Sequence, residues 1–386
     1  MWSDPDEDLA RPLEDFATLH ASALRRSRDV IDLSYPNPRA ARDGRALDLL
    51  RNLVGRVEQS QLQYSPFGGA TIVRRRVAAA LGRKIGLRLA YRDVLLTPGA
   101  TAALTVAFAA FFRPDDEVLV ITPSWMDYPL YLRRLGVRAV RVPTGDDKRL
   151  DVAAVAAACG PRTAGVVLSQ PACPTGVVHD RHELAQLAEA LVAAGERHGR
   201  LPLIVSDEVH RDQNWGDTPF TSPMRAYPET VSVYSFGKAW SLQGQRFGYL
   251  ALAPSLSDHD RRVDAVERAA RSTGVCAPTV LMQQLAAALV DLEPDTAPLR
   301  GDQLRLRRLL TELGHRPVPA DGTAFVYLPC PNGVDDWEAV RRLAGEGLLA
   351  MPSSLFHEPN HFRLALNVGS DRFDEVLRRV GAALPT

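Results

Sequence analysis

From about residue 92 the chain alternates between short β-branched runs and longer stretches rich in alanine and leucine, a rhythm that limits what it can fold into. The short runs fall at 94–97, 117–121, 139–142, 165–169, 203–206, 231–235 and 248–251, each bounded by Gly, Pro or Asp. Helical periodicity is clearest at 101–111, 181–198 and 255–272. Strands that alternate with helices call for crossover connections, so the spacing predicts an α/β sheet. A sheet of this kind places its ligands in the loops that leave its strands.

After about residue 275 the texture changes. Long helices at 279–292 and 299–313 lead into a run at 323–328, a helix near 337–345, a strand at 361–366 and a last helix. A chain of 386 residues also exceeds what one simple core holds. The expected organisation is a large domain over 46–274 and a smaller α/β domain made of 1–45 with 275–386.

Charge gives little direction. Lys and Arg number 46, Asp and Glu number 46, and the formal net charge is zero, so no nucleic acid or anionic membrane is favoured as a partner. Arg74-Arg75-Arg76 and the arginines of 305–308 read as solvated helix faces. The opening Met-Trp-Ser-Asp-Pro-Asp-Glu-Asp lacks the basic flank and apolar core of an export signal. Apolar runs such as 102–112 fall short of the ~20 residues that cross a bilayer. A cytoplasmic location is expected. Cys159, Cys173, Cys276 and Cys330 are scattered without metal-ligand spacing, so neither a disulfide framework nor a metal site is indicated.

The strongest local signal is Ser235-Phe-Gly-Lys238, continuing to Gly244-Gln-Arg246-Phe-Gly248. A lysine at the end of an apolar strand, between small residues, sits where its amine can be partly desolvated and become nucleophilic. Arg246 and Ser235 add a cation and a hydroxyl suited to a phosphate monoester. Taken alone, such a Lys–Arg combination is equally a surface pair.

In company, the segment resembles the cofactor-lysine motif of the class I and II aminotransferases, the fold-type I family of pyridoxal-phosphate enzymes. The likeness runs in order along nearly the whole chain. It implies a large domain on a mixed, mostly parallel seven-stranded sheet, with pyridoxal 5'-phosphate held by Lys238 as an aldimine. Thr97-Pro-Gly99-Ala100-Thr101 matches the strand-to-helix turn whose amides and threonine hydroxyl cradle the phosphate. Pro123-Ser-Trp125 resembles the aromatic platform under the pyridine ring, and Asp207 the acid that pairs with the ring nitrogen. Arg363, after Met351-Pro-Ser-Ser-Leu-Phe356, matches the arginine that binds the substrate α-carboxylate. Tyr64, in Tyr64-Ser-Pro-Phe-Gly68-Gly69, matches the tyrosine that reaches a partner's phosphate, which implies a homodimer with shared sites.

Two positions depart from the family pattern. Ser169-Gln-Pro-Ala-Cys173-Pro174-Thr175-Gly176 puts Cys173 where the family has an asparagine that donates to the cofactor's phenolic oxygen, and a thiol is a weak donor. His210 stands where a tyrosine usually contacts the same oxygen. An imidazole can donate there too, but it titrates near neutrality and would couple activity to pH. The run Asp207-Glu208-Val-His210-Arg-Asp212 is similar to a segment of the cystathionine β-lyase-like members, whereas Arg246 is the transaminase feature. The expectation is an aminotransferase acting on amino acid and 2-oxo acid substrates. A carbon–sulfur β-lyase, a specialised cyclase, decarboxylase or oxidase, and a non-catalytic binding module are the alternatives.

Overall fold

The computed structural model describes residues 7–385 apart from 28 and 38–42, so the acidic opening over 1–6 lies outside the described residues. Its strands are β1 (Ile31–Asp32), β2 (Val94–Thr97), β3 (Glu117–Thr122), β4 (Arg138–Pro143), β5 (Thr163–Ser169), β6 (Leu203–Asp207), β7 (Thr230–Ser235) and β8 (Gly248–Leu252), followed by β9 (Phe325–Pro329), β10 (Leu348–Leu349), β11 (Met351–Pro352) and β12 (His361–Ala365). Seven of them form one sheet in the order β2-β8-β7-β6-β5-β3-β4. Only β8 runs against its neighbours β2 and β7; the other pairs are parallel. The sheet is therefore mixed and mostly parallel, as the family resemblance implies.

Burial explains the sequence texture of these strands. Every residue of β3, β5, β6, β7 and β8 is buried, because helices cover both faces of the sheet. Each fully buried Val or Leu there contributes roughly 1.5–3 kcal/mol. The exception is β4 at the sheet edge, where Arg138 and Arg141 stand out to solvent and Arg138 pairs with Glu117.

The helix expected at 181–198 runs Arg181–His198. Asp180 accepts from the amides of His182 and Glu183, Glu183 returns to the amide of Asp180, and Gly199 closes the far end at φ 76°. The helix expected from 255 instead starts at His259, because Asp258 before it takes a left-handed turn at φ 47°.

A second body of side chains gathers beside the sheet. Phe16 of helix Glu7–Arg26 joins Ile31, Leu306, Val326, Leu348, Phe362 and Val380 in one apolar cluster. There β9 pairs with β12, β12 with β11, and β1 with β10. Helix Val280–Leu289 lies past the expected boundary at 275, yet its Met282, Leu285 and Leu289 pack with Ala46, Val73 and Leu96 on the large sheet's side.

Two arginine runs are solvated only in part: Arg75, Arg76 and Arg308 are exposed as expected, the others are not. Arg74 is buried, its Nε donating to the carbonyls of Val94 at 2.6 Å and Tyr91 at 3.1 Å, so it ties helix Thr71–Ile85 to β2. Arg305 lies over the ring of Phe373 and Arg307 reaches the carbonyl of Ala320. Periodicity alone missed that a long side chain can bury its stem and spend its head on backbone acceptors. Among the described residues no helix is long and apolar enough to cross a membrane.

Candidate active site

The carboxyl ends of β5, β6 and β7 open on one cleft of about 780 Å³, its mouth included. Ser169 and Asp207 close two of those strands and Ser235 the third; each is the last residue of a strand that is buried along its length. Lys238 follows on the short helix Phe236–Ala239 rather than on the strand itself. Ala100, Thr101, Trp125, Cys173, His210 and Arg246 complete the wall on which the sequence expectations converge.

Gly99 shapes one end. It sits at φ 84°, a conformation side chains avoid, ahead of helix Ala100–Phe111, and a Cβ there would come within 2.7 Å of Arg246 Nη2. The missing side chain lets the arginine lie against the start of a twelve-residue helix, whose free amides and positive end favour an anion. Arg246 is steadied by its Nη1 bond to the carbonyl of Gln243 at 2.7 Å.

The ionisable groups are set by burial. Burial lowers the Lys238 amine to about 8, and the nearby Arg363 and Arg246 push the same way. The neutral amine is thus a minor form near pH 7, but far more populated than for a free lysine. Burial raises Asp207, while the Tyr128 hydroxyl at 2.7 Å and the Val209 amide at 3.2 Å pull it back toward its ionised form. Burial raises the Cys173 thiol, keeping it protonated. His210 differs from its expectation: burial first, then the charge of Lys238, lower it to about 3, so it stays neutral instead of titrating near neutrality.

Arg363 is fully buried and does not line this cleft; it lies behind it. Its Nη1 points at Cys173 Sγ, 3.9 Å away, and Cys173 does line the cleft. Nη2 donates to the carbonyl of Ser34 at 2.7 Å, and Phe325 and Phe356 hold the guanidinium between rings centred 4.3 and 4.6 Å away. Among the described residues its Nε has no hydrogen-bond partner. A buried cation held by a carbonyl, sulfurs and ring faces retains most of its attraction for a carboxylate. Tyr64 is not brought to the cleft: it stands fully exposed beyond the turn Gln59–Leu62.

Several residues of the site were not singled out from the sequence. Tyr128 lies three positions after Trp125, and Gln213 three after His210, a spacing that puts both members of each pair on one side of a helical turn. Gln213 Nε2 donates to the backbone carbonyl of Lys238 at 3.1 Å. Phe325 left no polar signal to find, while Phe356 closes the Met351-Pro-Ser-Ser-Leu-Phe356 turn already noted.

Comparison with known proteins agrees with this geometry. The family model described as aminotransferase class I and II matches residues 29–380. A probable aspartate/prephenate aminotransferase of Thermus aquaticus is 29% identical over 84% of this chain and 85% of its own. A valine–pyruvate aminotransferase of Mycobacterium tuberculosis is 29% identical over 95% of this chain and 94% of its own. Among solved structures, the N-succinyldiaminopimelate aminotransferase of Mycobacterium tuberculosis superposes with a TM-score of 0.84 at 26% identity, covering 97% of this chain and 99% of that one. The chain belongs to the class I and II aminotransferases.

Proposed function

We propose that the cleft seats pyridoxal 5'-phosphate and that the protein moves an amino group between an amino acid and a 2-oxo acid. The observation that carries this reading is the convergence of a partly neutral lysine, a buried carboxylate and an anion-favouring helix start on one cavity. The fit is tested at Gly99, where a Cβ would fill the cradle beside Arg246, and at Arg363, whose buried Nε is unmet among the described residues.

The amides of Ala100 and Thr101, with Ser235 and Arg246, would hold the phosphate, since the Gly99 amide already donates to the carbonyl of Thr97 at 2.7 Å. Trp125 would offer its ring face to the pyridine, and Asp207 its carboxylate to the ring nitrogen. When bound, the cofactor supplies a carbonyl that links to an amine and a cationic ring that takes up the electron pair left by a departing proton. Asp207, whose ionised form the Tyr128 and Val209 bonds favour against burial, would stabilise that cationic ring. Arg363 would dock the substrate carboxylate, with Cys173 beside it. Lys238, with its amine at about 8, would take the α-proton and return it, since a base works best near the operating pH.

The names of the relatives support transamination over carbon–sulfur elimination, cyclisation, decarboxylation or oxidation. A homodimer with shared sites belongs to the same reading, supported by the exposure of Tyr64 and of Val54, Leu62 and Ile72 in the same stretch of chain. So does a division into 46–274 and 1–45 with 275–386, supported by separate apolar clusters, with helix Val280–Leu289 seated on the larger part.

Incubation with the cofactor, a panel of amino acids and a panel of 2-oxo acids tests the function. Exchange of amino groups between the two panels, seen by mass, is the expected result. Release of ammonia and sulfide from cysteine derivatives without such exchange would overturn it.

A further inference from the structure

Gln213 is tied at both ends of its amide. Nε2 donates to the carbonyl of Lys238 at 3.1 Å, and Oε1 lies 2.8 Å from Nδ1 of His210. Gln213 and His210 are both buried. A backbone carbonyl only accepts, so the end of the amide facing Lys238 is the NH2 and the end facing His210 is the oxygen. Turning the amide over would set two oxygens against each other and leave a part-buried carbonyl unmet. An amide oxygen at Nδ1 requires the proton to sit on Nδ1. Burial keeps the ring neutral, so it carries one proton and its lone pair lies on Nε2. The edge of Phe325, with ring centres 5.2 Å apart at 76°, fixes the imidazole's tilt.

We infer that Gln213 is a positioning residue that holds His210 as the Nδ1–H tautomer, making Nε2 a hydrogen-bond acceptor on the cleft wall. This reverses the expectation that the imidazole donates. His210 borders both the main cleft and the side cavity that Gln213, Ser241, Leu299 and Asn367 also line. An acceptor there selects an N–H or O–H on the molecule opposite and disfavours a bare oxygen anion, because two lone pairs would face each other. With Cys173 held as a thiol, neither of the two departures from the family pattern supplies a strong donor. The ring is also too weak a base to store a proton near neutrality, so its role is to accept a hydrogen bond rather than to shuttle protons.

The tautomer stands on the chain alone, while the group that Nε2 meets rests on the cofactor reading above. The test is two-bond proton–nitrogen correlation NMR on the full chain with labelled histidine, His210 being assigned by the signal lost in His210→Gln. The expected parent spectrum shows a protonated Nδ1 and a pyridine-like Nε2. Adding pyridoxal 5'-phosphate, then an unreactive amino acid analogue, shows which arrival moves the Nε2 shift and so whether the cofactor or the substrate amine is the donor. Gln213→Glu, which keeps an acceptor, should retain the proton on Nδ1, and Gln213→Leu should move it to Nε2. A parent spectrum with the proton on Nε2, a doubly protonated ring, or an unchanged tautomer in Gln213→Leu would each overturn the inference. If Gln213→Leu does not fold, the parent and Gln213→Glu spectra decide it. If the cofactor fails to bind at all, the cofactor reading falls while the tautomer is still scored on the parent.

Discussion

Tyr128 donates its hydroxyl to Oδ2 of Asp207 over 2.7 Å, from a phenol that is itself fully buried. Burial raises Asp207 and this bond opposes the rise, so the tyrosine favours the ionised form of an acid inside the protein. Removing a hydrogen bond to a charged group costs about 1.5–3 kcal/mol. Tyr128→Phe should therefore lower kcat roughly 10- to 100-fold if the carboxylate is needed ionised. The sign for pH follows: without the bond Asp207 holds its proton to higher pH, so the acid limb of the pH–rate profile should move upward. Turnover measured across pH, with a melting curve to confirm folding, checks both. An unmoved acid limb would separate Asp207 from catalysis.

Gly99→Ala should weaken the phosphate seat. The new methyl meets Arg246 Nη2 at 2.7 Å and must adopt φ 84°, a combination that costs roughly 1–3 kcal/mol. Cofactor titration followed by absorbance should show affinity lower by about tenfold or more, with free inorganic phosphate competing less well than against the parent.

Lys238 should be reactive at a pH where ordinary lysines are not. In the chain without cofactor its amine titrates at about 8, below the usual 10.5, because it is buried near other cations. Between those two values the unfolded chain binds more protons than the folded one, so stability should rise with pH across about 8 to 10.5. Labelling by a lysine-selective reagent should climb through pH 8 at Lys238 and lag at the remaining lysines. Peptide mapping at several pH values reads this out, and a profile matching surface lysines would refute the shifted amine.

Tyr64 should serve a neighbouring subunit. Inactive Tyr64→Ala and Lys238→Ala chains, when mixed, should recover part of the activity, because one site in each mixed dimer then has both residues. Demonstrated mixed dimers without recovery would count against shared sites.

The sheet was legible because β3, β5, β6, β7 and β8 are buried on both faces and so read as short apolar runs between breakers. Lys238, Asp207 and Trp125 were legible because their chemistry stands out beside strand ends and a turn. Arg74 was not, since its partners are carbonyls of Val94 and Tyr91 that are close only in the folded chain. His210 was expected at the site and does line the cleft, but it does not titrate near neutrality as expected, because it is buried among residues such as Phe325, more than a hundred positions away. Gln213 escaped notice because a glutamine announces nothing until both ends of its amide are seen to be committed.

The claim that Lys238 carries the cofactor is tested most directly by borohydride reduction of the protein with pyridoxal 5'-phosphate bound, followed by digestion and peptide mapping. The expected result is a reduced, covalently retained pyridoxyl group on Lys238, absent from Lys238→Ala even though that variant still binds cofactor reversibly through the Ala100 and Thr101 amides and Arg246. A label carried stoichiometrically by any other lysine, or retained undiminished in Lys238→Ala, would contradict it.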